Sequence, residues 1–176
     1  KIKYLNKIRS LLLVKLKKLA KNKTITFSNY HTYIDDKKHQ NIQWELAKYF
    51  RDKKLHLICF EGIREFLYSY FGQSVLIQKK PFLRIARPFK IEDNIGFHKD
   101  TIYGQSPYEM SIHVPLMSLG NKSCLKFAKN SHLLNDKKIQ FYKSKSFFKK
   151  GSKQHKLGKP YEPKKIIKNK YNEKAL

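Results

Sequence analysis

The chain has 176 residues, 40% hydrophobic and 14% aromatic, which is enough apolar material to bury the core of one domain and excludes disorder throughout. Its formal net charge of +26 would suggest nucleic acid or an anionic membrane as partner, but the charge is unevenly spread. Residues 1–23 carry nine Lys or Arg and no acid, residues 137–176 carry fourteen Lys and two Glu, and the stretch 24–136 is only +5.

The basic residues are 34 Lys and five Arg. Specific phosphate and base readers favour the planar fork of Arg, so no specific nucleic-acid partner is expected. Cys59 and Cys124 sit in apolar sequence without a CxxC spacing. They read as buried thiols in a reducing compartment, and a cytoplasmic location is expected.

Residues 1–23 read as a basic amphipathic helix, with Ile2, Leu5, Ile8, Leu12, Leu16 and Leu19 close to helical spacing. Lys15, Lys17 and Lys18 interrupt the apolar run at Leu11–Val14 well short of the ~18 residues of a spanning helix, and no small-residue cleavage site follows. No transmembrane segment is expected, and packing on the domain is favoured over lying on a membrane. Residues 24–39 are polar and aromatic without clear period and read as a loop. Helices follow over 41–51, around Ile42, Leu46 and Tyr49, and over 61–71, around Ile63, Phe66, Leu67 and Tyr70, with Gly72 as the stop. Trp44, Phe60 and Phe66 read as core.

Beyond Gly72 the pattern changes to period two or to continuous apolar runs, over 74–78, 81–87, 109–116 and 124–128, with Pro88, Gly104, Pro107 and Gly120 as turn residues between them. Helices followed by several short strands predict a mainly β fold with N-terminal helices, a jelly roll. From Leu134 the chain is Lys-rich with scattered aromatics, and a short helix is expected near 166–174. The expected division is a basic helix (1–23), a core (24–136) and a Lys-rich insert or loop region (137–176).

The chemistry concentrates at His98-Lys99-Asp100. A histidine and a carboxylate two positions apart on an extended segment face the same side and together can grip one metal ion. In a chain with seven His, such a pair arises by chance about a quarter of the time, so its surroundings decide its meaning. Tyr103, Gln105, Ser106 and Glu109 follow in a loop and are candidates to hydrogen-bond a polar ligand. Arg84 precedes the pair on a strand and is the candidate to hold a carboxylate or substrate hydroxyls, with a surface ion pair as the alternative. His113 reads as a hydrogen-bonded core histidine.

Taken together, the segments at residues 81–88 (PFLRIARP), 96–100 (GFHKD), 109–116 (EMSIHVPL) and 124–132 (CLKFAKNSH) resemble the phytanoyl-CoA dioxygenase-like branch of the iron(II)/2-oxoglutarate oxygenases, and within it the StrG-type oxygenases of carbohydrate clusters. The resemblance covers roughly residues 78–132. It implies a double-stranded β-helix with iron(II) held by His98 and Asp100, 2-oxoglutarate as co-substrate, dioxygen as oxidant, and Glu109 among the substrate-binding residues. It gives His132 a structural role and no place on the metal.

The family's second metal histidine and the basic residue that grips 2-oxoglutarate lie on later strands after a Gly-Asp turn. No such series follows here, and His155 stands in a Lys-rich setting unlike a ligand strand. The chain is therefore expected to be C-terminally truncated, with an open barrel, weak iron binding and no activity by itself. The expected function of the whole protein is oxidation, as by hydroxylation, of a small polar metabolite such as a sugar or nucleotide-sugar derivative. The alternatives are a non-catalytic jelly-roll binding module and a basic protein that binds nucleic acid or a membrane surface.

Overall fold

Ile8, Leu12 and Leu16 recur at every fourth residue, and that row is why the first segment packs as a helix, α1 (Ile2–Ala20). The computed structural model describes residues 2–78, 81–90, 93, 106, 108–120, 123–128, 141–143, 161–163 and 173–175. All three residues of the row are buried, against α3 (Asp36–Asp52) and α4 (Leu55–Phe71). After Ala20 the backbone of Lys21 turns left-handed, and the chain crosses to a single helical turn, α2 (Tyr30–Tyr33). The crossing is pinned by Asn29, whose side-chain oxygen accepts the Thr26 N–H at 2.6 Å. Ile25, Tyr30 and Ile34 are buried along it.

Residues 24–39 are thus not the bare loop that their composition suggests. They contain α2 and the first turn of α3. Asp35 caps α3, its carboxylate accepting the Lys38 N–H at 2.8 Å, and Asp36 adds a second acid at the positive end of the helix dipole. Helix α3 buries His39, Ile42, Leu46 and Phe50, one face at helical spacing. A two-residue link at Lys53 and Lys54 returns the chain as α4, which ends at Gly72, where φ is +73° and the N–H bonds the Tyr68 carbonyl at 3.0 Å. Glycine takes that backbone conformation without steric cost.

After Gly72 and a bend at Gln73, residues 81–87 run as an extended segment. Leu83 and Ile85 face inward and Arg87 is buried, while Phe82, Arg84 and Ala86 face out, the period-two pattern of a strand with no ladder partner among the described residues. Ile85 N–H donates to Gln43 Oε1 of α3 at 3.1 Å, and Arg87 reaches Asp36. These elements form one compact unit, Lys1–Pro88, and Phe89–Leu176 forms a second. In the second, β1 (Lys126–Ala128) pairs antiparallel with β4 (Glu173–Ala175), Phe127 opposite Lys174, and β2 (Phe141–Lys143) pairs antiparallel with β3 (Tyr161–Pro163), Tyr142 opposite Glu162.

The mainly β jelly roll expected from sequence is overturned. Helix dominates the described residues, with four helices, and the strands among them are four three-residue pieces in two separate pairs. Residues 109–115 show the physical reason: they carry no regular structure, and Met110 and Ile112 stay exposed, so among the described residues the alternating side chains have no opposing layer to bury them. Glu173 and Lys174, placed by sequence in a terminal helix, belong to β4. Among the described residues, no helix is long and apolar enough to cross a membrane.

The Asp35 cap makes a direct prediction. Asp35→Ala should lower unfolding free energy by about 1 kcal/mol, measured by urea denaturation followed at the helical CD band. Asp35→Asn, which keeps the acceptor, should recover most of that loss.

Candidate functional site

The residues assigned to the metal and to the substrate do not all fall within the described part of the chain. His98, Asp100, Tyr103 and Gln105 lie outside it, as do His132 and His155. Arg84 and Glu109 lie inside it, in different units. Arg84 is exposed on the outward side of the extended segment, next to Ile85, whose N–H is tied to Gln43.

Glu109 leaves a tight turn. Its N–H bonds the Ser106 carbonyl at 3.0 Å, and Tyr108 N–H bonds Ser106 Oγ at 3.2 Å. The tetrapeptide Ser-Pro-Tyr-Glu has serine first and proline second, the preferences of such a turn. The Glu109 side chain is exposed and reaches solvent as a hydrogen-bond acceptor. His113 is also exposed, which overturns its assignment to the core.

Polar side chains that the sequence did not single out meet at the start of α3. The Tyr30 hydroxyl and His39 Nδ1 hydrogen-bond at 2.9 Å in the interior, ring edge to face. Arg87 Nη1 donates to Asp36 Oδ1 at 2.6 Å, with the Arg87 side chain 3% exposed and that of Asp36 41% exposed. The signal for the second pair was present as Asp35-Asp36 opening a helical pattern and Arg87 standing on the inward side of an alternating run. Nothing in the spacing of Tyr30 and His39 marks that pair.

Two further groups lie on α4. Burial raises the pKa of the Cys59 thiol, which keeps it protonated and unreactive. His56 Nδ1 is buried with no hydrogen-bond partner among the described residues, and the ring lies beside Phe50. Burial, and then the charge of Lys54, lower the His56 pKa from its ordinary 6.5. Cys59 and Cys124 are half-buried, not fully enclosed. Among the described residues, no group of three or more His, Cys, Asp or Glu side chains is placed to hold a metal ion. Trp44 and Phe66, expected in the core, are exposed.

No family model, curated protein or solved structure matches the chain.

His56 makes stability depend on pH. The unfolded chain binds a proton near pH 6.5 and the folded chain only at lower pH, so the contribution of neutral His56 is complete above 6.5 and is lost as pH falls through that value toward the folded pKa. His56→Leu should remove this dependence. Urea denaturation from neutral pH to about pH 5 should show wild type losing ground to the variant; parallel curves would contradict the assignment.

Proposed function

We propose that this chain carries part of the active site of an iron(II)- and 2-oxoglutarate-dependent oxygenase acting on a small polar metabolite, such as a sugar or nucleotide-sugar derivative. The observation that carries the reading is the order of segments in the sequence: Gly96-Phe97-His98-Lys99-Asp100, then the Ser106–Glu109 tetrapeptide, then the 109–116 run and the 124–132 segment. The turn bonds at Ser106 support it, because they hold Glu109 exposed nine residues after Asp100 as an acceptor for ligand hydroxyls.

The donor set fits iron(II). One imidazole and one carboxylate with i, i+2 spacing are two members of the three-ligand facial set that leaves adjacent positions open. His98 and Asp100 would hold the ion. Bound iron with 2-oxoglutarate supplies activation of dioxygen, the co-substrate leaving as succinate and carbon dioxide while one oxygen atom enters the substrate. The chain's own residues bind and orient: Tyr103, Gln105 and Glu109 through hydrogen bonds to a polar substrate. The mechanism needs no charge from the Lys-rich ends.

The test is metal binding by the chain under anaerobic conditions with 2-oxoglutarate present. Titration calorimetry with iron(II) should show one site. His98→Ala and Asp100→Ala should each weaken it more than the about tenfold loss that follows removal of an outer-shell partner. Equal binding by both variants would place the metal elsewhere and overturn the proposal.

A further inference from the structure

The apolar stripe of α4 is longer than the surface that covers it. Cys59, Ile63, Phe66 and Tyr70 share one side of the helix. The first two are half-buried, while Phe66 and Tyr70 are 53% and 71% exposed. Phe71 beside them is 54% exposed, and the three rings form a chain with centroids 4.9 and 6.3 Å apart.

The position of α1 explains why the cover stops. Tyr4 packs on Gly62, where an added Cβ would meet its ring at 3.5 Å, and Lys15 lies over the Tyr49 ring at 5.7 Å near the end of α3. Helix α1 therefore starts at the middle of α4 and runs back toward the α3–α4 link. Only Ile2 and Lys3 of α1 precede Tyr4, whereas residues 63–71 of α4 continue about 13 Å past Gly62. Of those, Leu67 alone is buried. The overhang continues past Gly72 into Leu76, wholly exposed, and Ile77.

The acids of α4 stand on the side away from the aromatic rings. Glu61 and Glu65 lie on the opposite side of α4, and Glu61 is paired with Arg64 at 2.9 Å. The first turn of α1 contains no acid, and Lys3 and Lys7, both exposed, flank Tyr4. An aromatic knob with lysines and a positive helix end beside it matches a surface with an apolar interior and anionic headgroups. A second copy of the chain would bring +26 against +26. Nucleic acid would favour forked Arg; Lys3 and Lys7 have no fork, and Arg64 is already paired with Glu61.

We propose that the overhang of α4, with Lys3 and Lys7 beside it, docks the chain on an anionic phospholipid bilayer. Phe66, Tyr70 and Phe71 enter the headgroup boundary while the lysines meet the phosphates. The surface lies on the helical unit and uses none of the residues assigned to the metal and substrate, so it stands whether or not the oxygenase reading does.

The test uses flotation of the full 176-residue chain with vesicles of phosphatidylcholine alone and of phosphatidylcholine with phosphatidylserine. Binding to the anionic vesicles is expected to exceed that to neutral ones by about tenfold or more, and Phe66→Ser with Tyr70→Ser should lower it by a similar factor at unchanged helical CD. Should the double variant misfold, Tyr70→Trp in a Trp44→Phe background keeps the bulk, and its emission should shift blue on anionic vesicles. Any of four results overturns the proposal: no vesicle binding, binding that salt abolishes but the serine variant leaves unchanged, an unshifted tryptophan, or a dimer that the serine variant dissociates.

Discussion

A buried guanidinium has to be answered by a carboxylate, and in this chain the requirement fixes where the helical unit ends. Arg87 is 3% exposed and donates to Asp36 at 2.6 Å. An ion taken from water at this depth is tolerated only with close, well-aligned partners. Asp36 is held in place because Asp35 caps α3 immediately before it. The extended run at 81–87 is consequently drawn across the N-terminal half of α3, with the Ile85 N–H on Gln43 as a second tie.

The helices supply the platform for that anchor. Burial of Ile8, Leu12 and Leu16 joins α1 to both α3 and α4, and the α3 face at His39, Ile42, Leu46 and Phe50 completes the interior. Each such apolar side chain contributes about 1.5–3 kcal/mol on leaving water, far more than the exposed pairs Lys38–Asp35 and Arg64–Glu61 contribute. The same helix-to-helix arithmetic explains the overhang: the apolar stripe of α4 runs on past Gly62, α1 starts too late to cover it, and the aromatic end is left over. One geometric mismatch between two helices thus leaves an exposed aromatic end on α4.

The helical part was legible because its periods are long and clean. The row from Ile8 to Leu16, the face at Ile42 and Leu46, and the stop at Gly72 were all visible in the pattern, and the helices stand where those residues put them, α3 beginning five residues earlier and α4 six residues earlier than the pattern indicated. Those early turns were hidden because the Asp35 cap sits among polar residues and the start of α4, at Leu55, is read by its packing and not by a cap. Strand architecture was not legible. Alternation at 109–116 and 81–87 states that one side of a segment is apolar, but a sheet exists only if another segment pairs with it, and pairing is a long-range property absent from local sequence. For the site, His98 and Asp100 were assigned from spacing and neighbours and lie outside the described residues, whereas the Tyr30–His39 and Arg87–Asp36 side chains stand 9 and 51 positions apart and their pairing shows only in three dimensions.

The central claim, that Arg87 and Asp36 act as one unit to close the helical platform, is tested most directly by a double-mutant cycle in urea denaturation. Arg87→Met, Asp36→Asn and the double variant separate the pair from the helix-start contribution of Asp36. The account predicts a coupling energy of about 1.5–3 kcal/mol, well above that of an exposed pair, with the double variant less destabilised than the sum of the singles. Additive losses within about 0.3 kcal/mol would contradict it and reduce the pair to a surface contact.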